Sequence, residues 1–353
     1  MQQLIQNSIQ LLQQLIATPS FSREEADTAV ILFDFFEKCH ICPYRKGNNV
    51  WVKNHHFEED LPTILLNSHH DTVKPVEDWT RHPFQAKIED GKLYGLGSND
   101  AGGALVSLIA TFLHFNKIDF LPFNLIFAAT AEEEISGANG IQSILSNLGN
   151  LWAGIVGEPT QMRMAIAEKG LLVIDAEVKG KAGHAARNEG ENAIYKAFQD
   201  IEWIQNHEFE KQSDLLGSVK MTVTQIHAGT QHNVVPDICK FVIDVRTNEF
   251  YNNKVVFETL QQHLKADLKA RSFRLNSSNI ELEHPLVKAG LAIGLEYFGS
   301  PTLSDQALMP FPTLKIGPGD SARSHTADEF IYLSEIEDGI KIYIEWLEKL
   351  MVL

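Results

Sequence analysis

The chain is 353 residues long, 44% hydrophobic and 22% charged, with a formal charge of -16. That length predicts two domains rather than one small core, and the acidic balance argues against nucleic acid or an anionic membrane surface as partner. No apolar run approaches the ~20 residues a membrane span needs, and three cysteines, Cys39, Cys42 and Cys239, cannot build a disulfide framework.

The N-terminal MQQLIQNSIQLLQQLIATPS sets apolar residues against Gln at helical spacing and has no basic stretch ahead of them. It predicts an amphipathic helix rather than a signal peptide, and a cytoplasmic protein. Ser22-Arg23-Glu24-Glu25 has the form of a capping box opening a second helix through Phe36. Cys39-His40-Ile41-Cys42 has CxxC spacing with no second pair after it, and is read as a reduced, packed pair.

Short apolar runs follow, each ending at a polar cluster. Thr63–Ser68 leads into His69, Asn124–Ala129 into Thr130 and an acidic triplet, Ala153–Val156 into Gly157-Glu158, and Thr313–Ile316 into Gly317-Pro318-Gly319. Continuously apolar strands belong to a sheet covered on both faces, and ligands of such α/β sheets gather at the strand C-terminal ends. Between them the texture changes. A strand from Leu171, a helix over 192–207, alternating strands over 219–226 and 239–245, and a helix over 253–270 suggest a compact ferredoxin-like α+β unit. It is read as an insertion over 169–278, because His325, a ligand candidate, appears only beyond it. The catalytic part is then 1–168 with 279–353. No internal repeat or low-complexity tract interrupts this plan.

The polar clusters carry chemistry. In His69-His70-Asp71 the aspartate can accept the second N–H of His69 and free its other nitrogen for a metal, while His70 turns to the opposite side of the strand. Asp100, in Gly95-Leu96-Gly97-Ser98-Asn99-Asp100, is either a helix N-cap or a bridging carboxylate, and a capping turn can serve both. Glu132-Glu133-Glu134 would repel one another at the end of a buried strand unless a positive charge compensates. Glu158 is restrained between Gly157 and Pro159, and His325 lies between Ser324 and Thr326 beyond a Gly-Pro-Gly turn. Two histidines, two terminal carboxylates, one bridge and one spare carboxylate form the inventory of a water-activating pair of divalent metals.

With these clusters in this order, the chain resembles the co-catalytic zinc aminoacylase family that contains acetylornithine deacetylase, succinyl-diaminopimelate desuccinylase, carboxypeptidase G-type enzymes and related dipeptidases. The resemblance covers nearly the whole chain. It implies a zinc-exopeptidase-like catalytic domain, with a mixed sheet covered by helices, and an inserted lid or dimerisation domain. His69 would ligate one metal with Asp71 orienting it, Asp100 would bridge, Glu133 would be the general base, and Glu134, Glu158 and His325 would complete the ligand set. Two zinc ions are expected, with cobalt or manganese admitted by the same donors. Gly180-Lys181-Ala182-Gly183-His184 resembles the segment whose histidine stabilises the oxyanion, often in the partner subunit's site, so a homodimer is implied. Asn233 and Arg246 resemble contacts to the substrate carboxylate; Lys169 is a weaker candidate for the same task, and Arg323 for an acyl carboxylate. The family usually carries a lysine where this chain has Gly102, and its desuccinylases a Gly-rich segment where it has Ser300-Pro301-Thr302-Leu303, which argues against desuccinylation of diaminopimelate. The implied activity is removal of an acetyl or succinyl group from the α-nitrogen of ornithine or a relation such as citrulline, in arginine biosynthesis. A metallo-dipeptidase or a non-catalytic binding relative are the competing readings.

Overall fold

The Thr63–His69 strand is buried at every position, which requires cover on both faces, and its alternate residues supply it. Ile64 and Leu66 point into a large core with the helices Gln2–Ile16, Ala26–Lys38, Gly103–Phe115 and Leu333–Leu350, whereas Leu65 faces Trp51, Ile126 and the short helix Ile141–Leu148. A computed structural model describes residues 1–352 of the chain. The sheet order through the catalytic part is Tyr44–Lys46, Asn49–Lys53, Asn124–Thr130, Thr63–His69, Ala153–Val156, Thr313–Lys315 and Met164–Glu168. The strands from Asn124–Thr130 to Thr313–Lys315 run parallel, and the strands flanking them run antiparallel. This is the mixed α/β sheet expected. His69, Glu132 to Glu134, Glu158 and Gly317 therefore all follow the C-terminal ends of adjacent parallel strands.

The Gly103–Phe115 helix is almost wholly apolar and packs between the sheet and the C-terminal helix. There the Trp346 Nε1–H donates to the Leu286 carbonyl (2.8 Å) and the Tyr343 hydroxyl to that of Ile316 (2.5 Å), so both large side chains are buried without a lost hydrogen bond. The N-terminal helix buries Ile5, Leu11, Leu12, Leu15 and Ile16 on one stripe, as its spacing predicts. No helix among the described residues is long and apolar enough to cross a membrane.

Two local expectations fail. The second helix begins at Ala26 with no side-chain cap, because the Ser22 hydroxyl donates instead to Asp71 Oδ2 (2.7 Å). The helix after Asn252 stops at His263, and Asp267–Ala270 becomes a strand paired with the chain at Ile174 to Glu177.

Contacts divide the chain into a catalytic unit, Met1–Ile166 with Ile280–Phe298 and the residues from Ser304 onward, and a second unit, Ala167–Asn279 with Gly299–Leu303. The second unit thus takes in Gly299–Leu303, which the sequence reading left with the catalytic part. Its four main strands lie in the order Lys220–Ala228, Ile238–Thr247, Gly170–Lys179, Asp267–Ala270, all neighbours antiparallel. The helices Ala193–Asn206 and Asn253–His263, N-capped by Asn192 and Asn252, bury Ala197, Ile204, Val256 and Leu260 with Ile174, Phe241 and Ile243. That is the ferredoxin-like arrangement.

Candidate metal centre

Asp71 organises the site. Its buried carboxylate accepts the Ser22 hydroxyl and the backbone N–H groups of Glu133 (3.0 Å) and Glu134 (3.3 Å), and its Oδ1 lies 3.5 Å from His69 Nδ1. Burial pushes the Asp71 carboxyl up, but His69, the Ser22 hydroxyl and the Glu133 N–H together hold it below its ordinary value. His69 Nδ1 also lies 3.0 Å from the Asp71 carbonyl oxygen. With Nδ1 engaged by these acceptors, His69 turns Nε2 toward Asp100 Oδ1 (3.4 Å), Glu133 Oε2 (3.9 Å) and Glu158 Oε1 (3.9 Å). Burial pushes the His69 pKa down, but Asp100, Asp71 and Glu133 together hold it well above its ordinary value.

His69 Nε2 and Glu158 Oε1 are buried and have no hydrogen-bond partner in the protein. Such groups are costly unless something completes them. The second histidine closes the arrangement from the other side: His325 Nε2 is 3.0 Å from Glu134 Oε2 and 3.6 Å from Asp100 Oδ2. Asp100 therefore reaches one histidine with each oxygen. It makes no capping hydrogen bond to the helix that begins at Gly103, and its oxygens face the two histidines instead.

The electrostatics are those of crowded acids. Burial, then the nearby Asp100 charge, pushes the Glu158 carboxyl up to about 8, with His69 and Lys315 pulling the other way. Burial also raises Glu133 well above its ordinary value, opposed by His69 and assisted by Glu158, Asp305 and Glu134. The Glu134 hydrogen bond raises His325 to about 9 against its partial burial. Ligand-capable atoms of His69, Asp100 and Glu134 lie within 4.8 Å of one another, as do those of His69, Glu133 and Glu158. Imidazole and carboxylate donors at this spacing, including two orphaned buried atoms, fit divalent cations with N/O preference.

His70 turns away, as predicted, with Nδ1 2.9 Å from Thr28 Oγ1 and the Nε2–H donating to the Asn48 carbonyl (2.8 Å). Gly102 has a steric reason: a Cβ there would sit 2.4 Å from the Gly97 carbonyl oxygen and 2.5 Å from Leu12 Cδ1. Arg323 corrects its reading. Its guanidinium forks onto Glu335 (2.9 and 2.5 Å), donates to the Phe330 carbonyl and lies over the Phe330 ring, so it braces the start of the C-terminal helix.

The other candidates belong to the inserted unit. The short ladder of Gly183–His184 with Val234–Val235 brings His184 and Asn233 together, and the Ala185 N–H donates to the Asn233 carbonyl (2.9 Å). Arg246 forks onto Asp244 (2.8 and 3.2 Å). The Lys169 ammonium donates to the Ser218 carbonyl (3.0 Å), and burial, then repulsion from Lys220 and Arg246, lowers its pKa. Cys39, Cys42 and Cys239 are free thiols. Two buried acids beside the cluster were not singled out from sequence: Asp305, which accepts the Thr130 hydroxyl (2.8 Å), and Glu329, which accepts backbone N–H groups around Asp100. An acid embedded beside the apolar run Phe330-Ile331-Tyr332 was the available signal for Glu329.

Fold and cluster together define a metal-dependent hydrolase. The model of Peptidase family M20/M25/M40 matches residues 65–349, and the chain belongs to that family. Among its relatives, an uncharacterized metallohydrolase of Methanocaldococcus jannaschii is 28% identical over 86% of this chain and 90% of its own. A succinyl-diaminopimelate desuccinylase of Xylella fastidiosa is 24% identical over 96% and 97%, and an acetylornithine deacetylase of Buchnera aphidicola 26% over 76% and 75%. An aminopeptidase from Bacillus cereus superposes with a TM-score of 0.78 at 18% identity, covering 98% of both chains. A dinuclear metal binding peptidase of the M20 family from Bacillus subtilis does so at 0.75 and 19%, covering 100% and 99%. These two likenesses show the fold.

Proposed function

We propose that the chain is a dinuclear amidohydrolase that removes an acyl group, acetyl first and succinyl as its variant, from the α-nitrogen of ornithine or a close relation such as citrulline. The observation that carries the reaction class is the buried His69 Nε2, without a hydrogen-bond partner, facing Asp100, Glu133 and Glu158, with His325 facing Asp100 and Glu134. His69, Asp100 and Glu158 would hold one ion, and His325, Asp100 and Glu134 the other. Two divalent ions, zinc or else cobalt or manganese, would supply a water of lowered pKa and a Lewis acid for the amide carbonyl. Glu133, raised by burial, is suited to take a proton from the attacking water and return it to the leaving amine. Asp71 holds the backbone of that base and the imidazole of His69 with one carboxylate. His184 is assigned the developing oxyanion, and Asn233, Arg246 and Lys169 the substrate carboxylate. The substrate class is supported by the relatives named acetylornithine deacetylase and succinyl-diaminopimelate desuccinylase, and a place in arginine biosynthesis is proposed with it.

The test is release of free amine from N-acetyl-L-ornithine, N-acetyl-L-citrulline and their N-succinyl counterparts, with unblocked dipeptides alongside, on zinc-loaded protein. Turnover confined to the acyl amino acids is expected. Turnover of dipeptides alone would replace the deacylase reading with a peptidase.

The dimer is proposed through the inserted unit. Tyr195 and Phe198 are 74% and 64% exposed on the Ala193–Asn206 helix, and the adjacent Lys220–Ala228 strand is a sheet edge carrying exposed Ile226. An apolar face beside an open edge suits a second copy. Sedimentation should find a dimer that Tyr195→Glu with Phe198→Glu converts to monomer; a wild-type monomer at micromolar concentration sinks the proposal.

A further inference from the structure

The loop that carries Asp100 is held by a carboxylate for which the reaction above has no use. Glu329 is 2% exposed, and its side chain accepts three backbone donors: Gly97 N–H at Oε2 (3.0 Å), and Asn99 and Asp100 N–H at Oε1 (2.8 and 3.0 Å). Its own carbonyl accepts the Gly95 N–H (3.0 Å). Asn99 adds a second tie. Its Nδ2–H donates to the Asp320 carbonyl (3.0 Å) and lies 3.3 Å from Ser324 Oγ, and its Oδ1 accepts the Asp320 N–H (3.0 Å). Ser324 precedes His325 and Glu329 follows it, so the Asp100 loop is fastened on both sides of the second histidine.

A carboxylate this deeply buried is expensive to keep. An apolar side chain would fill the space without that cost, yet it would leave three N–H groups unsatisfied in a turn whose only chemical product is the placement of Asp100. That placement is narrow: the Asp100 oxygens stand 3.4 Å from His69 Nε2 and 3.6 Å from His325 Nε2.

We propose that Glu329 is a positioning residue, which fixes the backbone of Gly97 to Asp100 relative to His325 and so sets the reach of the Asp100 carboxylate between the two histidines. The inference rests on the dinuclear reading given above. It is distinct from ligation, since Glu329 points at peptide nitrogens.

Apo-protein titrated with zinc alone, against a chromophoric chelator, tests it in wild type, Glu329→Gln, Glu329→Ala and the core variant Leu286→Ala. Wild type should bind two zinc ions. Glu329→Gln retains volume but turns an amide donor toward N–H groups, and should weaken at least one site by about 10–100-fold. Glu329→Ala should do the same or more; where it fails to fold, Glu329→Gln carries the test. Leu286→Ala loses thermal stability in the same unit and should keep both sites. Unchanged zinc affinity in Glu329→Gln overturns the proposal, and so does equal weakening in Leu286→Ala, which would reduce the effect to general loosening. Wild type that binds two zinc ions but hydrolyses no acyl amino acid sinks only the proposed function. Wild type that binds fewer than two sinks both.

Discussion

Glu133→Gln protein is expected to keep two metal ions and to lose turnover by about 10²–10⁴-fold, with KM little changed. The substitution keeps shape and removes only the capacity to accept a proton. Its outcome decides between two roles that the geometry brings close together. Glu133 Oε2 lies 3.9 Å from His69 Nε2, and its ligand-capable atoms group with those of Glu158 as readily as those of Glu134 group with Asp100. A base leaves the metal count untouched when it is neutralised, whereas a ligand does not. Metal analysis of the purified variant beside its kinetics therefore reads the role directly: a fall to one ion per chain would make Glu133 a ligand and leave the proton transfer to another group.

Asp71→Asn should be nearly as damaging by a different route. The carboxylate accepts from Ser22, Glu133 and Glu134 and faces the Nδ1–H of His69, so both its oxygens are needed as acceptors. An amide must turn one N–H group toward another donor, at about 1–3 kcal/mol for each buried donor left unpaired, and the His69 tautomer loses its clamp. Zinc affinity should fall by about 10–100-fold together with the melting temperature. Competition titration and a thermal melt measure both, and Ser22→Ala, which removes one donor and leaves the carboxylate, should be milder in each. Asp71→Asn protein with wild-type zinc affinity would show that His69 needs no such orientation.

The catalytic sheet was legible because Thr63–His69, Asn124–Thr130 and Ala153–Val156 are apolar without alternation, a pattern that burial on both faces demands and that few other settings tolerate. His69, Glu133, Glu134 and Glu158 were legible for the same reason, since each stands at or just beyond the end of such a strand. What escaped was whatever depends on a partner far along the chain. Ser22 reads locally as a helix cap, and only the approach of Asp71 turns its hydroxyl elsewhere. Arg323 reads as a partner for an acyl carboxylate until the C-terminal helix brings Glu335 to it. Glu329 stands out locally only as an acid beside an apolar run, and its partners stay hidden because the N–H groups it accepts lie more than 200 positions earlier. The end of the helix at His263 was missed because the residues after it keep helix-compatible composition, and pairing with the strand from Gly170 decides their state.

The place of Thr313–Lys315 in the sheet has a consequence for how the protein is made. The strand lies between Ala153–Val156 and Met164–Glu168, both of which leave the ribosome long before it. Until the inserted unit has been synthesised, the sheet has an open slot flanked by two unpaired edges, and neither His325 nor Glu329 exists. A nascent chain can therefore complete the ferredoxin-like unit while the older half of the molecule still waits for its central strand. For that interval the exposed edges would bind chaperones or pair with other chains. Closure of the slot and arrival of His325 are consequently one late event in the life of the polypeptide.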